Sequence, residues 1–212
     1  KKAEQQNWFQ IEKDRREFFE RKPPAGSKPE SADKSPRVLV CSPSNSSADQ
    51  YVLQLSSILK SDREMLRLFA AHRKGVFDKR LRPYTSFDHA TGTHTMPPLE
   101  TILSTQLVVM TTRASAQLAS LGVPKGHFTH IIVDEAAQLM EAESLLPLSL
   151  AGPATSVVMA GDPKQLGPST FCKLDCIHGV HVSVMERLQS LDAYSSRAPH
   201  VCQFLTANYR SH

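Results

Sequence analysis

No apolar run in this chain approaches the ~18–20 residues needed to cross a bilayer. The first 22 residues, KKAEQQNWFQIEKDRREFFERK, carry charge throughout and lack an apolar h-region, so a secretory signal is not expected there. Cysteine is scarce, with four in 212 residues and widely scattered; that argues for reduced thiols in a cytosolic or nuclear protein rather than a disulfide frame. No serine sits in a G-x-S-x-G elbow, which leaves nucleophilic hydrolase chemistry without support. There is no internal repeat.

What is present is ordinary in bulk. Apolar residues make up 40% and charged residues 22%, both usual for a globular protein of this length. The net charge of +4, with pI near 8.9, fits a phosphate-rich partner without demanding one. Residues 1–22 read as a polar helix with a weak apolar face, and 23–36, PPAGSKPESADKSP, as a Pro/Ser/Lys linker with little to bury. Folded sequence is expected from RVLVC at 37–41.

From there strands and helices alternate. The expected strands are 37–41, QLVVMTT at 106–112, HIIVDEA, and SVVMAGD at 156–162. Helices are expected from Ala48 to about Lys60, over ASAQLASL, from Ala136 to Leu146, and around Val182 to Leu191. Residues 61–98 read as basic and irregular. Continuous β-branched runs alternating with helices predict an α/β fold, a parallel sheet covered on both faces. In such sheets ligands bind beyond the carboxyl ends of the strands. Each strand puts polar residues there: Ser42 to Asn45, Thr111 and Thr112, Asp134 and Glu135, and Asp162.

A carboxylate at such a strand end suits Mg²⁺, and a neighbouring one can polarise a water for attack on a phosphate. The plainer reading of Asp134 is a cap for the helix expected from Ala136. The device recurs in VVMAGDPKQLGP, where Gln165 follows Gly161-Asp162; the plainer reading there is a turn built on Pro163, Gly167 and Pro168.

In order along the chain, CSPSNSSAD, VVMTTRASA, VDEAAQ, GDPKQLGP and NYRSH resemble five motifs of superfamily 1 helicases of the Up-frameshift type. GHFTHIIVDEAAQLMEAESLLPLSL is especially similar to the RNA helicases of the Armitage and plant silencing-defective group. The resemblance covers residues 37–212 and implies part of a RecA-like motor domain, with 61–98 an accessory insertion. It implies Mg²⁺ coordination by Asp134, activation of the hydrolytic water by Glu135, γ-phosphate sensing by Gln165, and coupling through Asp162. It implies Tyr209 against the adenine of ATP, and Arg210 as an arginine finger, a group that can be worth ~10³ or more in rate. It implies contact of Pro43, Ser44, Asn45, Ser46, Thr111 and Thr112 with the backbone of a single nucleic-acid strand, a task that hydroxyl and amide groups suit.

The family's phosphate loop, G-x-x-x-x-G-K-[ST], has no counterpart here. The chain is therefore expected to be a fragment of a larger helicase that lacks the second RecA-like domain, and not to hydrolyse ATP as given. The implied whole is an ATP-dependent 5′-to-3′ RNA helicase of RNA silencing or decay, in the cytoplasm or its ribonucleoprotein granules, with no membrane partner. The alternatives are a DNA helicase of the same superfamily and a non-catalytic helicase-like scaffold. Two further signals count for little. Cys172, Cys176, His178 and His181 match no common zinc spacing, and the basic run His72 to Arg82 is more often a solvated face than a phosphate grip.

Overall fold

A computed structural model describes residues 35–59, 64–70, 78–170, 177–194 and 201–205. The expected N-terminal helix, and the linker up to residue 34, lie outside them.

Five parallel strands form the central sheet: β1 (Val38–Ser42), β2 (Met65–Arg67), β5 (Leu107–Thr111), β6 (His130–Val133) and β7 (Ser156–Met159). Their order across the sheet is β2-β5-β1-β6-β7. A separate antiparallel hairpin pairs β3 (Phe87–Asp88) with β4 (Thr93–His94). Val-, Ile- and Leu-rich runs form the inner strands because their branched side chains pack against layers on both faces. One cluster holds Leu39, Cys41, Val108, Met110, Ile131 and Val133; the other face packs Val40 and Val109 with Ala48, Val52 and Leu81. Full burial pushes the Cys41 thiol up to about 12, which makes it a small apolar filler rather than a nucleophile.

Three expectations need adjustment. Residues 65–67 fall within the stretch expected to be irregular, yet they form an edge strand paired with β5. The strand is only three residues long, and its apolar stretch, MLRLFA, is interrupted by an arginine and holds no β-branched residue to announce a strand. Helix α1 (Asn45–Leu55) starts three residues before Ala48, because the Ser44 hydroxyl accepts from the Ser47 amide at 3.1 Å and caps it. The helix expected from Ala136 is instead a 3₁₀ turn (Ala136–Gln138), broken at extended Leu139 and Met140 before α4 (Glu141–Leu148); α2 (Leu99–Ser104) and α3 (Ala116–Ser120) precede it.

The outer strand β7 also differs from its sequence reading. Val157 is 40% exposed and Val158 48%. Adjacent residues point to opposite faces, so neither face of β7 is fully covered by the described residues.

Candidate active site and nucleic-acid face

Every strand of the parallel sheet ends on the same side, and the candidate residues gather there. β1 and β6 run in register, Cys41 opposite Val133, and the Asp134 amide donates to the Cys41 carbonyl at 2.8 Å. That bond carries the chain one residue past the sheet and leaves the half-buried Asp134 side chain at the tip. Its Oδ2 accepts from Ser47 Oγ on α1 at 3.4 Å, a long contact that sets α1's first turn beside the acid. Asp134 is not the cap of a following helix. The 3₁₀ turn has Glu135 in the cap position with no side-chain cap bond, and α4 starts only at Glu141.

Glu135 has φ 52° and ψ 38°, the one positive φ outside glycine among the described residues. The left-handed region costs an ordinary residue ~1–2 kcal/mol, and such strain collects at functional sites. The Glu135 carboxylate is held by Gln138, whose Nε2 donates to Oε2 at 3.0 Å.

The next strand brings the second acidic tip alongside. β6 and β7 pair through Val133 and Met159, and the Ala136 amide donates to the Ala160 carbonyl at 2.8 Å. Gly161 then passes so close that a Cβ built on it would lie 2.9 Å from the Ala137 nitrogen and 3.1 Å from that of Ala136. Asp162 follows, exposed; its Oδ1 accepts from the Lys164 amide and its Oδ2 from Gln165 Nε2, each at 3.0 Å. These two bonds, the Lys164 amide first, hold the Asp162 carboxyl below its usual range. Gln165 is thus tied to Asp162 and exposed. Tyr209 and Arg210 lie outside the described residues, as do Cys172 and Cys176.

On the other side of β1, Ser42 stands opposite Thr111 at the tip of β5. Pro43, Ser44 and Ser46 are exposed, Asn45 and Thr111 half-buried. Ser44 and Ser46 share a hydroxyl hydrogen bond at 3.0 Å. Thr112 differs: it is fully buried, its amide donates to Ser42 O at 2.9 Å, and its hydroxyl has no partner among the described residues. A recess of about 220 Å³ lies here, lined by Pro43, Thr112, Arg113, Gln138, Met140 and Ser169. Arg113 at its rim pairs with Glu143, at 2.6 Å from NH2 to Oε1, while the other Glu143 oxygen accepts from the Met140 amide at the start of α4.

Ser47, Gln138 and Arg113 were not singled out in the sequence. Ser47 sits in a serine-rich turn whose neighbours drew the attention, and Gln138 is the last letter of VDEAAQ. Only the folded distances show which of them touch the acids.

The AAA domain family matches residues 78–173. "Probable helicase with zinc finger domain" of Homo sapiens is 36% identical over 182 residues, covering 83% of this chain and 9% of that protein. "RNA helicase Mov10l1" of Homo sapiens is 34% identical over 189 residues, 83% of this chain and 15% of that one. "Putative helicase MOV-10" of Gallus gallus is 31% identical over 195 residues, 84% and 20%. The chain belongs to the superfamily 1 helicases of the Up-frameshift type. It spans only about a tenth to a fifth of the length of these relatives. The UvsW helicase of bacteriophage T4 has a TM-score of 0.41 at 11% identity, over 71% of this chain and 43% of that one, too weak a likeness to add to the strand order. In this helicase segment, no helix among the described residues is long and apolar enough to cross a membrane.

Proposed function

We propose that this chain forms part of the first motor domain of an ATP-dependent RNA helicase, which couples ATP hydrolysis to movement along a single RNA strand. The observation that carries the reading is the convergence at one sheet edge. The Asp134-Glu135 and Asp162-Gln165 tips adjoin on β6 and β7, and a hydroxyl- and amide-bearing face adjoins them on β1 and β5. The RNA helicase named among the relatives supports RNA as the strand.

The donor set fits magnesium and nucleotide. No cluster of three metal-binding side chains occurs among the described residues, and none is needed. Mg²⁺ is commonly held by one or two carboxylates, with water and substrate phosphates completing an all-oxygen shell. Asp134 would hold it, and the ion would supply charge neutralisation on the triphosphate. Glu135 takes the proton of the attacking water, its carboxylate oriented by Gln138 Nε2. Gln165, tied to Asp162, reads the γ-phosphate, and Asp162 passes that state to the rest of the motor. By the resemblance, Tyr209 would take the adenine and Arg210 would offset the developing charge. Pro43, Ser44, Asn45, Ser46 and Thr111 line the strand's backbone, with Thr112 packed beneath them. The setting we assign is cytoplasmic RNA silencing or decay.

In the full-length protein, Glu135→Gln is expected to bind ATP as the wild type does and to lose turnover, because the isosteric amide takes no proton. A radiolabelled-phosphate release assay beside equilibrium nucleotide binding separates the two; continued hydrolysis would take the base role from Glu135. Stronger ATPase stimulation by poly-dT than by poly-U would turn the substrate assignment to DNA.

A further inference from the structure

Arg67 closes β2 and is buried to 1% exposure. A guanidinium out of water must find partners for its donors. Nε donates to Asp49 Oδ1 at 2.8 Å, NH1 to the Leu68 carbonyl at 2.5 Å, and NH2 to Asn45 Oδ1 at 3.0 Å and to the Asn45 carbonyl at 3.4 Å. The ring of Phe69 covers the group, its centroid 4.0 Å from Cζ. Asp49 and Asn45 both belong to α1, so an edge strand grips the N-terminal half of the helix whose start carries the strand-binding serines.

We infer that Arg67 is a positioning residue for nucleic-acid binding: it fixes Asn45 so that its side-chain amide nitrogen is offered to a backbone phosphate. Arginine has donors only. Held at NH2, the Asn45 side chain must turn its oxygen inward, which leaves the two N–H donors of Nδ2 for an outside acceptor. Asn45 is half-buried, with exposed Ser44 and Ser46 on either side, so those donors join a surface already rich in hydroxyls. Well-packed apolar side chains often replace a buried ion pair at no cost in stability, so stability alone does not account for a charge here. The inference rests on the strand-binding role proposed above for the β1–α1 turn.

The test is a double-mutant cycle on this 212-residue chain, read by fluorescence anisotropy with a labelled twelve-nucleotide oligo-U at low salt, in samples shown folded by far-UV circular dichroism. Arg67→Lys keeps the charge but loses the fork that reaches Asp49 and Asn45 together. It and Asn45→Ala are each expected to weaken affinity about 3- to 10-fold, and the double variant to be no weaker than the worse single, because both remove one interaction. Were Arg67→Lys not to fold, Asp49→Asn, which loosens the guanidinium's charged anchor, replaces it in the same cycle with the same expectation. Wild-type affinity in the variant, or penalties that multiply, would overturn the role of Arg67 alone. No binding by the wild-type chain would overturn the strand-binding reading and this inference with it. A role confined to stability would lower the melting temperature without moving the affinity of folded protein.

Discussion

Glu135 shows what a single residue stores. Its left-handed backbone costs ~1–2 kcal/mol, whereas glycine adopts φ 52° freely but loses more entropy on folding. Glu135→Gly is therefore expected to leave urea stability unchanged or to raise it by up to about 1 kcal/mol. A loss beyond 1 kcal/mol would mean that the bond from Gln138 outweighs the backbone strain. His127 makes a second test at this scale. Its Nε2 is buried with no partner among the described residues, and burial, then the charge of Arg37, holds its pKa below the usual histidine range. The folded state keeps the ring neutral while the unfolded chain accepts a proton near pH 6.5. Falling pH therefore draws protons to the unfolded state first, and stability drops as pH passes below ~6.5 until the folded pKa is crossed. His127→Gln should lose less melting temperature between pH 7.5 and 5.5 than the wild type; an identical loss in both would remove His127 as a source of that dependence.

Among the elements, the close approach of the β6 and β7 tips decides whether the two acidic turns can share a site. Gly161 permits it. A methyl there would meet two backbone nitrogens, at 2.9 and 3.1 Å, with Met185 Sδ at 3.2 Å behind them. Backbone cannot swing aside as a side chain can, so Gly161→Ala should cost about 1–3 kcal/mol in chemical denaturation; a cost under about 0.5 kcal/mol would mean the tips stand further apart than described. The sequence showed this glycine as part of a motif, while the reason for it, a crossing of two backbones, is a long-range fact. Elements were legible to the extent that their signals were local. β1, β5 and β6 announced themselves by branched runs. α1 was placed late because its cap is one serine among four in SPSNSSAD. The break after Gln138 was missed because nothing in AAQLMEAE disfavours helix; extended Leu139 and Met140 part the 3₁₀ turn from α4 all the same.

At the scale of the whole chain, the parallel α/β architecture and the side on which ligands would gather followed from strand–helix alternation alone. The partners inside the site did not, because Ser47 on Asp134, Gln138 on Glu135 and Arg67 on Asn45 join residues whose positions only the fold brings together or orients. The same geometry makes a prediction about charge. The chain carries only +4, and the proposed strand contacts are proline, serine, asparagine and threonine, none of them charged. The nearest arginines are engaged, Arg113 with Glu143 and Arg67 with Asp49. Counterion release follows the number of phosphates neutralised by cations, about −0.7 in log K against log salt for each one on a single strand. Neutral contacts release few ions, so affinity for oligo-U should fall with salt at a slope no steeper than about −2. A slope of about −4 would instead require five or six cationic contacts. The basic stretch that includes Lys79 and Arg82 would then be the grip on the strand, and the β1–α1 turn would be left to orient it.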